Sequence, residues 1–147
     1  MEKPIKARLI VEIVGKPKEH VEETIILLGE KFAEGKKEVK ILSRKVREPV
    51  QLKDTSLYSA FIEFEVQVEN LSILLELIFD YLPSSIEIIE PEEISESNFN
   101  LNSVLNDLAG KLHSYDLAIK KLKAENVLLK KEIKKLKDSK INQNNSL

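Results

Sequence analysis

The sequence contains no cysteine, no tryptophan and only four glycines among 147 residues. The absence of cysteine excludes disulfides, thiol catalysis and cysteine-based zinc sites. The longest apolar runs, such as residues 71–82, are shorter than a membrane span and contain Glu76 and Asp80. The first six residues, MEKPIK, lack the apolar segment of a secretory signal. We therefore expect a soluble cytoplasmic protein with no membrane partner.

Patterns that carry catalysis or nucleotide binding are also missing. The sequence has no H-E-x-x-H, Walker, G-x-G-x-x-G or G-x-S-x-G motif. Its two histidines, His20 and His113, lie far apart in the chain. The acidic segment 91–96 lacks the alternation and the glycine of a calcium loop, which favours a solvated linker. We predict a protein that is not an enzyme, with no catalytic residues, no metal site and no cofactor.

Charge is plentiful but unevenly distributed. The formal net charge is only −2, although 33% of the residues are charged. Residues 111–140 contain ten lysines and four acidic residues, a net charge of +6, so the remainder carries about −8. This asymmetry indicates either an anionic partner for the basic segment or simply the use of lysine as a soluble helix former.

Residues 1–94 alternate between predicted strands and helices. The predicted strands span 7–15, 38–52, 57–69 and 85–90, and the predicted helices span 18–34 and 71–82. In the second strand Val46 falls on the opposite parity from Val39 and Ile41, so we expect a bulge or a bend near Ser43. Asn70 is a suitable N-cap for the second helix. The order βαββαβ predicts an α+β ferredoxin-like sandwich.

The predicted sheet has one apolar face and one mixed face. In the third strand, the even positions from Tyr58 to Val68 are mostly aliphatic or aromatic, whereas three of the odd positions are glutamates. These carboxylates repel phosphate and argue against an RNA-binding sheet.

The fourth strand should direct Ile86 and Ile88 inward. We predict that the mixed face, together with the second helix, forms an interface with a second copy or another partner. The side chains of the mixed face are Ile10, Glu12, Val14, Phe61, Glu63, Glu87 and Ile89.

The start of this domain resembles an ACT-type regulatory domain. The resemblance rests on the strand, the Gly15-Lys16-Pro17 turn and the helix that follow one another over residues 9–28, and it extends over residues 7–94. It implies a ligand site at a loop formed by Gly15, Lys16, Pro17 and His20, where the free N–H groups of a helix start suit an anion. The composition, rich in Lys, Glu and Ile, also resembles that of small archaeal protein families.

The C-terminal part of the chain shows regular 4-3 spacing of apolar residues over about five heptads. Ten of the eleven positions are apolar or aromatic, and Asn126 is the exception. Such a long and regular pattern is typical of a supercoiled seam. We assign Leu105, Leu112, Ile119, Asn126 and Ile133 to heptad position a. Position d is then occupied by Leu101, Leu108, Tyr115, Leu122, Leu129 and Leu136.

Residues 115–137 resemble the leucine zippers of dimeric transcription factors, which share this leucine repeat and a polar residue within the seam. Isoleucine at a with leucine at d favours two parallel helices, and Asn126 is satisfied best by its counterpart across a parallel two-fold axis. The pairs Glu125–Lys130 and Glu132–Lys137 are attractive in that arrangement. We predict a parallel homodimer; a helix that folds back on its own domain is the alternative.

The sequence therefore predicts four segments: a ferredoxin-like domain (1–94), an acidic connector (95–100), a coiled-coil helix (101–140) and a disordered tail (141–147). We expect a dimeric adaptor or regulatory protein whose head binds a protein partner or a small-molecule effector. The alternative is a factor that contacts RNA or a ribosomal surface non-specifically through exposed lysines. Those lysines are Lys120, Lys121, Lys123, Lys130, Lys131, Lys134 and Lys135.

Overall fold

The computed structural model describes residues 3–146 and divides the chain into two units, one that ends at Asn98 and one that starts at Phe99. The first unit is an antiparallel sheet with two helices, so the predicted α+β class is confirmed. Its elements are β1 (Ile5–Gly15), α1 (Lys18–Lys31), β2 (Val39–Val46), β3 (Val50–Gln51), β4 (Tyr58–Val68), α2 (Leu71–Tyr81) and β5 (Ser85–Glu90).

The sheet has the strand order β2-β4-β1-β5, and β3 also pairs with β4. β1 and β4 pair along eleven residues each, from Ile5 opposite Val68 to Gly15 opposite Tyr58. The register of β2 shifts between Ile41 and Ser43, which confirms the predicted bulge. The single strand predicted over 38–52 is wrong, because β2 ends at Val46 and β3 begins after Pro49, whose missing N–H interrupts a ladder.

Alternation in β1 and β4 directs one row of side chains into the core. Ile62, Phe64 and Val66 are fully buried, as the pattern predicted. The ring of Phe32, just after α1, stacks on Phe64 with a centroid distance of 3.7 Å and makes a tilted contact with the ring of Tyr81. α1 ends at Lys31, earlier than predicted, because the backbone turns at Phe32 and enters the left-handed region at the next residue.

α2 begins where its sequence predicts. The Asn70 side chain accepts a hydrogen bond from the Ile73 N–H at 3.1 Å, which confirms the predicted N-cap. Leu74 and Leu77 are buried in the same core as the inward side chains of the sheet. α2 therefore packs on the apolar face, which leaves the mixed face on the other side of the sheet; that the mixed face and α2 form an interface with a partner stays a prediction.

β5 is an edge strand, and among the described strands it pairs with β1 alone. Ile86 and Ile88 lie opposite Leu9 and Ala7 and so share their face. They are nevertheless 39% and 41% exposed, whereas Leu9 and Ala7 are fully buried. The expected inward direction of both isoleucines is therefore confirmed, but they stay partly exposed because a neighbouring strand flanks β5 on one side only.

The second unit contains one helix, α3 (Asn98–Asn145), of 48 residues. It begins inside the predicted connector 95–100 and continues through residues 141–145, which were predicted to be a disordered tail. Residues 141–145 are helical and not disordered as predicted, because they include no proline or glycine that would end the helix. Leu147 lies outside the described residues. None of the helices described between residues 3 and 146 is long and apolar enough to cross a membrane.

Gly29 provides a test of the packing between α1 and β4. A Cβ atom there would lie 2.7 Å from Cδ1 of the fully buried Ile62, which has little room to move. We expect Gly29→Ala to lower the free energy of unfolding by about 1 kcal/mol, because overpacking of about 1–3 kcal/mol exceeds the helical gain of about 1 kcal/mol. Urea denaturation measures the change. Adding Ile62→Val removes the clashing atom and should cancel the penalty of Gly29→Ala in a double-mutant cycle. Glu30→Ala, at an exposed neighbour, is the control.

Candidate functional site

The mixed face predicted from the sequence is present in the structure as the open face of the sheet, opposite the face that carries α2. In β1 it carries Lys6, Arg8, Ile10, Glu12 and Val14, and in β4 it carries Ser59, Phe61, Glu63, Glu65 and Gln67. Glu87 of β5 lies opposite Arg8 and joins this face. The open face therefore combines charged and apolar side chains from three adjacent strands.

Arg8 is at the centre of a carboxylate cluster on the open face. Its Nη2 donates to Glu65 at 3.0 Å, and its Nη1 donates to Glu87 at 3.1 Å. Its Nε lies 3.3 Å from a carboxylate oxygen of Glu63, in an ion pair without a hydrogen bond. One guanidinium thus connects carboxylates from β4 and β5.

This arrangement keeps Arg8 charged. The hydrogen bond to Glu65 is the largest cause that raises the pKa of Arg8 above its usual value; desolvation opposes the increase, and the charges of Glu63, Glu65 and Glu87 add to it. A planar guanidinium can serve several carboxylates at once because its five N–H groups point in different directions. Arg8 was not singled out from the sequence, because its partners lie more than 50 residues away and are identified only by strand register.

The apolar residues of the open face are only partly covered. Ile10 and Phe61 are half-buried, and Val14 is 52% exposed at the end of β1. Ile89 is also half-buried and lies where the pairing of β5 with β1 changes register. Near them, the buried Ser59 hydroxyl donates to Glu12 at 2.6 Å. A half-exposed aromatic and aliphatic surface beside fixed charges is suited to contact with another protein surface.

The candidate ligand loop lies at one end of this sheet. Gly15 ends β1, Pro17 is the N-cap of α1 without a side-chain capping bond, and His20 is exposed in the first turn. Lys16 and Pro17 line a shallow depression, while Gly15 and His20 are outside its lining. The remaining lining residues are Lys18, Glu19, Ser56 and Tyr58. The structure thus brings together only part of the predicted loop, and it adds side chains that approach from the turn before β4.

The acidic segment after β5 borders a second pocket, of about 470 Å³. Residues 91–96 line it together with Lys3, Ile5 and Glu69. Within residues 3–146, no three acidic or histidine side chains converge in a way that could hold a metal ion. The pocket therefore has an acidic border without a convergent set of ligands.

The predicted seam lies on α3. Because α3 is unbroken, the eleven residues from Leu101 to Leu136 form one continuous stripe. Leu122 and Leu129 are 63% and 62% exposed, and none of the described α3 residues is buried. The seven lysines proposed as contacts for an anionic partner are also exposed along α3.

The chain is thus an α+β protein. The open face of its sheet carries ion pairs between Arg8 and three glutamates, and the apolar stripe of its long helix is exposed in the single chain. Residues 6–144 match the MJ0538 family, and the chain belongs to that family because the match covers nearly its whole length. No curated protein and no solved structure matches the chain.

Replacing Arg8 with Met tests whether the carboxylate cluster depends on its cation. We expect a lower melting temperature, because Glu63, Glu65 and Glu87 would then repel one another, and we expect high salt to reduce the loss. Arg8→Lys should lower the melting temperature less, since an ammonium group keeps the positive charge but lacks the several N–H donors of a planar guanidinium. Arg47→Met, at an exposed arginine without an ion pair among the described residues, is the control. Equal effects of Arg8→Met and Arg47→Met would contradict the assignment.

Proposed function

We propose that this protein is a non-enzymatic homodimer, an adaptor or regulatory protein, in which α3 joins two copies and the α+β unit binds a partner. The observation that carries the proposal is α3 itself: 48 helical residues, a regular 4-3 apolar stripe and no buried residue among those described. Helices in water depend mainly on burial of an apolar face, so a helix of this kind needs a partner. A second copy supplies an identical stripe.

The charges beside the seam support two parallel helices in register. In that arrangement position g of one helix faces position e of the next heptad in its partner. The pairs Lys111–Asp116, Glu125–Lys130 and Glu132–Lys137 would then all be attractive. Each exposed pair contributes only about 0.3–0.5 kcal/mol, so these pairs select orientation more than they add stability. Asn126 adds a second argument, because a parallel dimer places it opposite its own counterpart.

The open face is the surface we propose for partner recognition by the head. The strand order β2-β4-β1-β5 supports a ferredoxin-like sandwich, which leaves one face of its sheet without helices. The ACT-type resemblance supports a small effector at Lys16 and Pro17 as a variant of this proposal. A dimer would present two heads, so that a bivalent target binds more tightly than either head alone would allow.

Two adjacent leucines test the dimer proposal. Leu128 and Leu129 are both 62% exposed in the single chain, but only Leu129 lies in the seam. We expect Leu129→Asp to convert a dimer into a 16.8 kDa monomer and to reduce helicity, because a charge would be buried in the interface. Leu128→Asp should leave the mass at twice the chain mass. Light scattering and circular dichroism measure both effects, and a monomeric unmodified protein would refute the proposal.

Disulfide cross-linking tests the orientation of the two helices. Because the chain has no cysteine, a single introduced cysteine is the only thiol in each copy. Lys140 falls at position a, so Lys140→Cys should form an intermolecular disulfide readily in a parallel dimer. Asp138→Cys, at outer position f, is the control and should cross-link poorly. Non-reducing gels measure the yield. Equal yields from the two variants, or none from Lys140→Cys, would contradict a parallel pair.

A factor that contacts RNA or a ribosomal surface is the second candidate, and the exposed lysines of α3 favour it. Changing four of them to Gln should weaken binding to a random RNA and flatten its salt dependence if they contact phosphates. A filter-binding titration at several salt concentrations measures this. The four positions are Lys130, Lys131, Lys134 and Lys135. The control makes the same charge change in the α+β unit at Lys31, Lys37, Lys40 and Lys45, and equal losses from both sets would contradict a specific role for α3.

A further inference from the structure

α3 carries a second regular stripe, on the side opposite the seam. We call it the outer face, and its residues follow one another at alternating intervals of four and three, which places them on one side of a helix. The outer face consists of Gly110, Ser114, Leu117, Lys121, Ala124 and Leu128. In the heptad frame of the seam, these are positions c and f. A two-stranded coiled coil leaves such positions in water.

The outer face is more apolar than a solvated surface requires. Leu117 and Leu128 are 55% and 62% exposed, where charged side chains would be the ordinary choice. The Ser114 hydroxyl donates back to the Gly110 carbonyl at 3.1 Å, so it is already engaged within the helix. Burial in the seam cannot explain Leu117 and Leu128, because dimerisation covers the other side of α3.

Gly110 is an independent observation on the same face. Glycine in a helix interior costs about 1 kcal/mol relative to alanine. A Cβ atom at Gly110 would meet no atom of the described chain within 4 Å, so packing within this chain does not require the glycine. A missing side chain in an exposed helix allows the backbone of another element to approach closely.

The lysines of this region determine what kind of partner fits. Lys121 lies within the outer face, and the same spacing continues into Lys131 at one end and Asp107 at the other. The α3 ion pairs among the described residues join Lys120 to Asp116 and Lys135 to Glu132, so neither Lys121 nor Lys131 has an ion-pair partner there. A second coiled coil of the same chain would place two lysine-rich surfaces together, which like charges disfavour. A partner with an apolar stripe bordered by acidic residues complements both features.

We propose that the outer face of the coiled coil binds an acidic amphipathic helix of a partner protein. This inference rests on the homodimer proposed above, since the outer face is defined by the seam. Leu117 and Leu128 supply apolar contacts, Gly110 and Ala124 allow close approach, and Lys121 and Lys131 pair with acidic residues of the incoming helix.

The test uses the full chain and a labelled synthetic helix of about three heptads, with leucine and alanine on one face and glutamate along its borders. Fluorescence anisotropy measures binding, and light scattering of the same samples reports the dimer. We expect the peptide to bind, and we expect the Leu117→Asp/Leu128→Asp variant to remain dimeric but to bind at least tenfold more weakly. Ile141→Asp changes an apolar residue of similar exposure outside the outer face and is the control.

Four results of the peptide titration and the light scattering would overturn the inference. They are no binding of the acidic peptide, equal binding of a peptide with lysine in place of glutamate, unchanged binding by the double variant, and a tetramer in the absence of peptide. Binding to vesicles that contain phosphatidylserine but not to the peptide would indicate a membrane surface instead and would also overturn it. If the unmodified protein proves monomeric, the dimer proposal itself fails, and light scattering distinguishes that failure from the loss of the outer-face interaction.

Discussion

The pairing of β1 with β4 is the constraint on which the α+β unit depends. Each strand contributes eleven residues, and their register directs Leu9, Ile62 and Phe64 to one side and Arg8, Glu63 and Glu65 to the other. A shift by one residue would exchange the two sets, burying carboxylates and exposing the core, which is why the hydrophobic pattern specifies the register so strongly. The stack of Phe32 on Phe64 and the cluster around Arg8 both follow from this single alignment.

The two units differ in how their apolar residues are covered. The α+β unit has a closed core, with Leu77 of α2 and Ile25 of α1 both buried against the sheet. No described residue of α3 is fully buried, and only two are partly covered, although its apolar positions recur with great regularity. A helix of that design is stabilised by what covers it. We therefore propose that α3 associates through both sides, one with a second copy of the chain and the other with a different partner.

Local sequence patterns predicted much of this architecture. The alternation in residues 58–68, the N-cap at Asn70 and the bulge near Ser43 are each encoded within a few residues, and the structure contains all three. Predictions that depended on neighbours distant in sequence were less accurate. Ile86 and Ile88 face inward as predicted, but the sequence did not indicate that their strand lies at an edge and leaves them 39% and 41% exposed. α1 ends early because the backbone is left-handed at Ala33. The sequence gives no sign of this, since no glycine or proline occurs at that position.

The amino-acid sequence by itself determined the order of helices and strands, apart from the division of residues 38–52 into two strands, and the 4-3 repeat of α3, because periodicity is a property of consecutive residues. It also excluded disulfides, since it contains no cysteine. Only the tertiary structure decided that Arg8 serves carboxylates of Glu63, Glu65 and Glu87, and that Gly29 must remain small beside Ile62. Such contacts join residues that are dozens of positions apart in the chain, and they arise only when strand register and helix placement bring those residues within a few ångströms of one another.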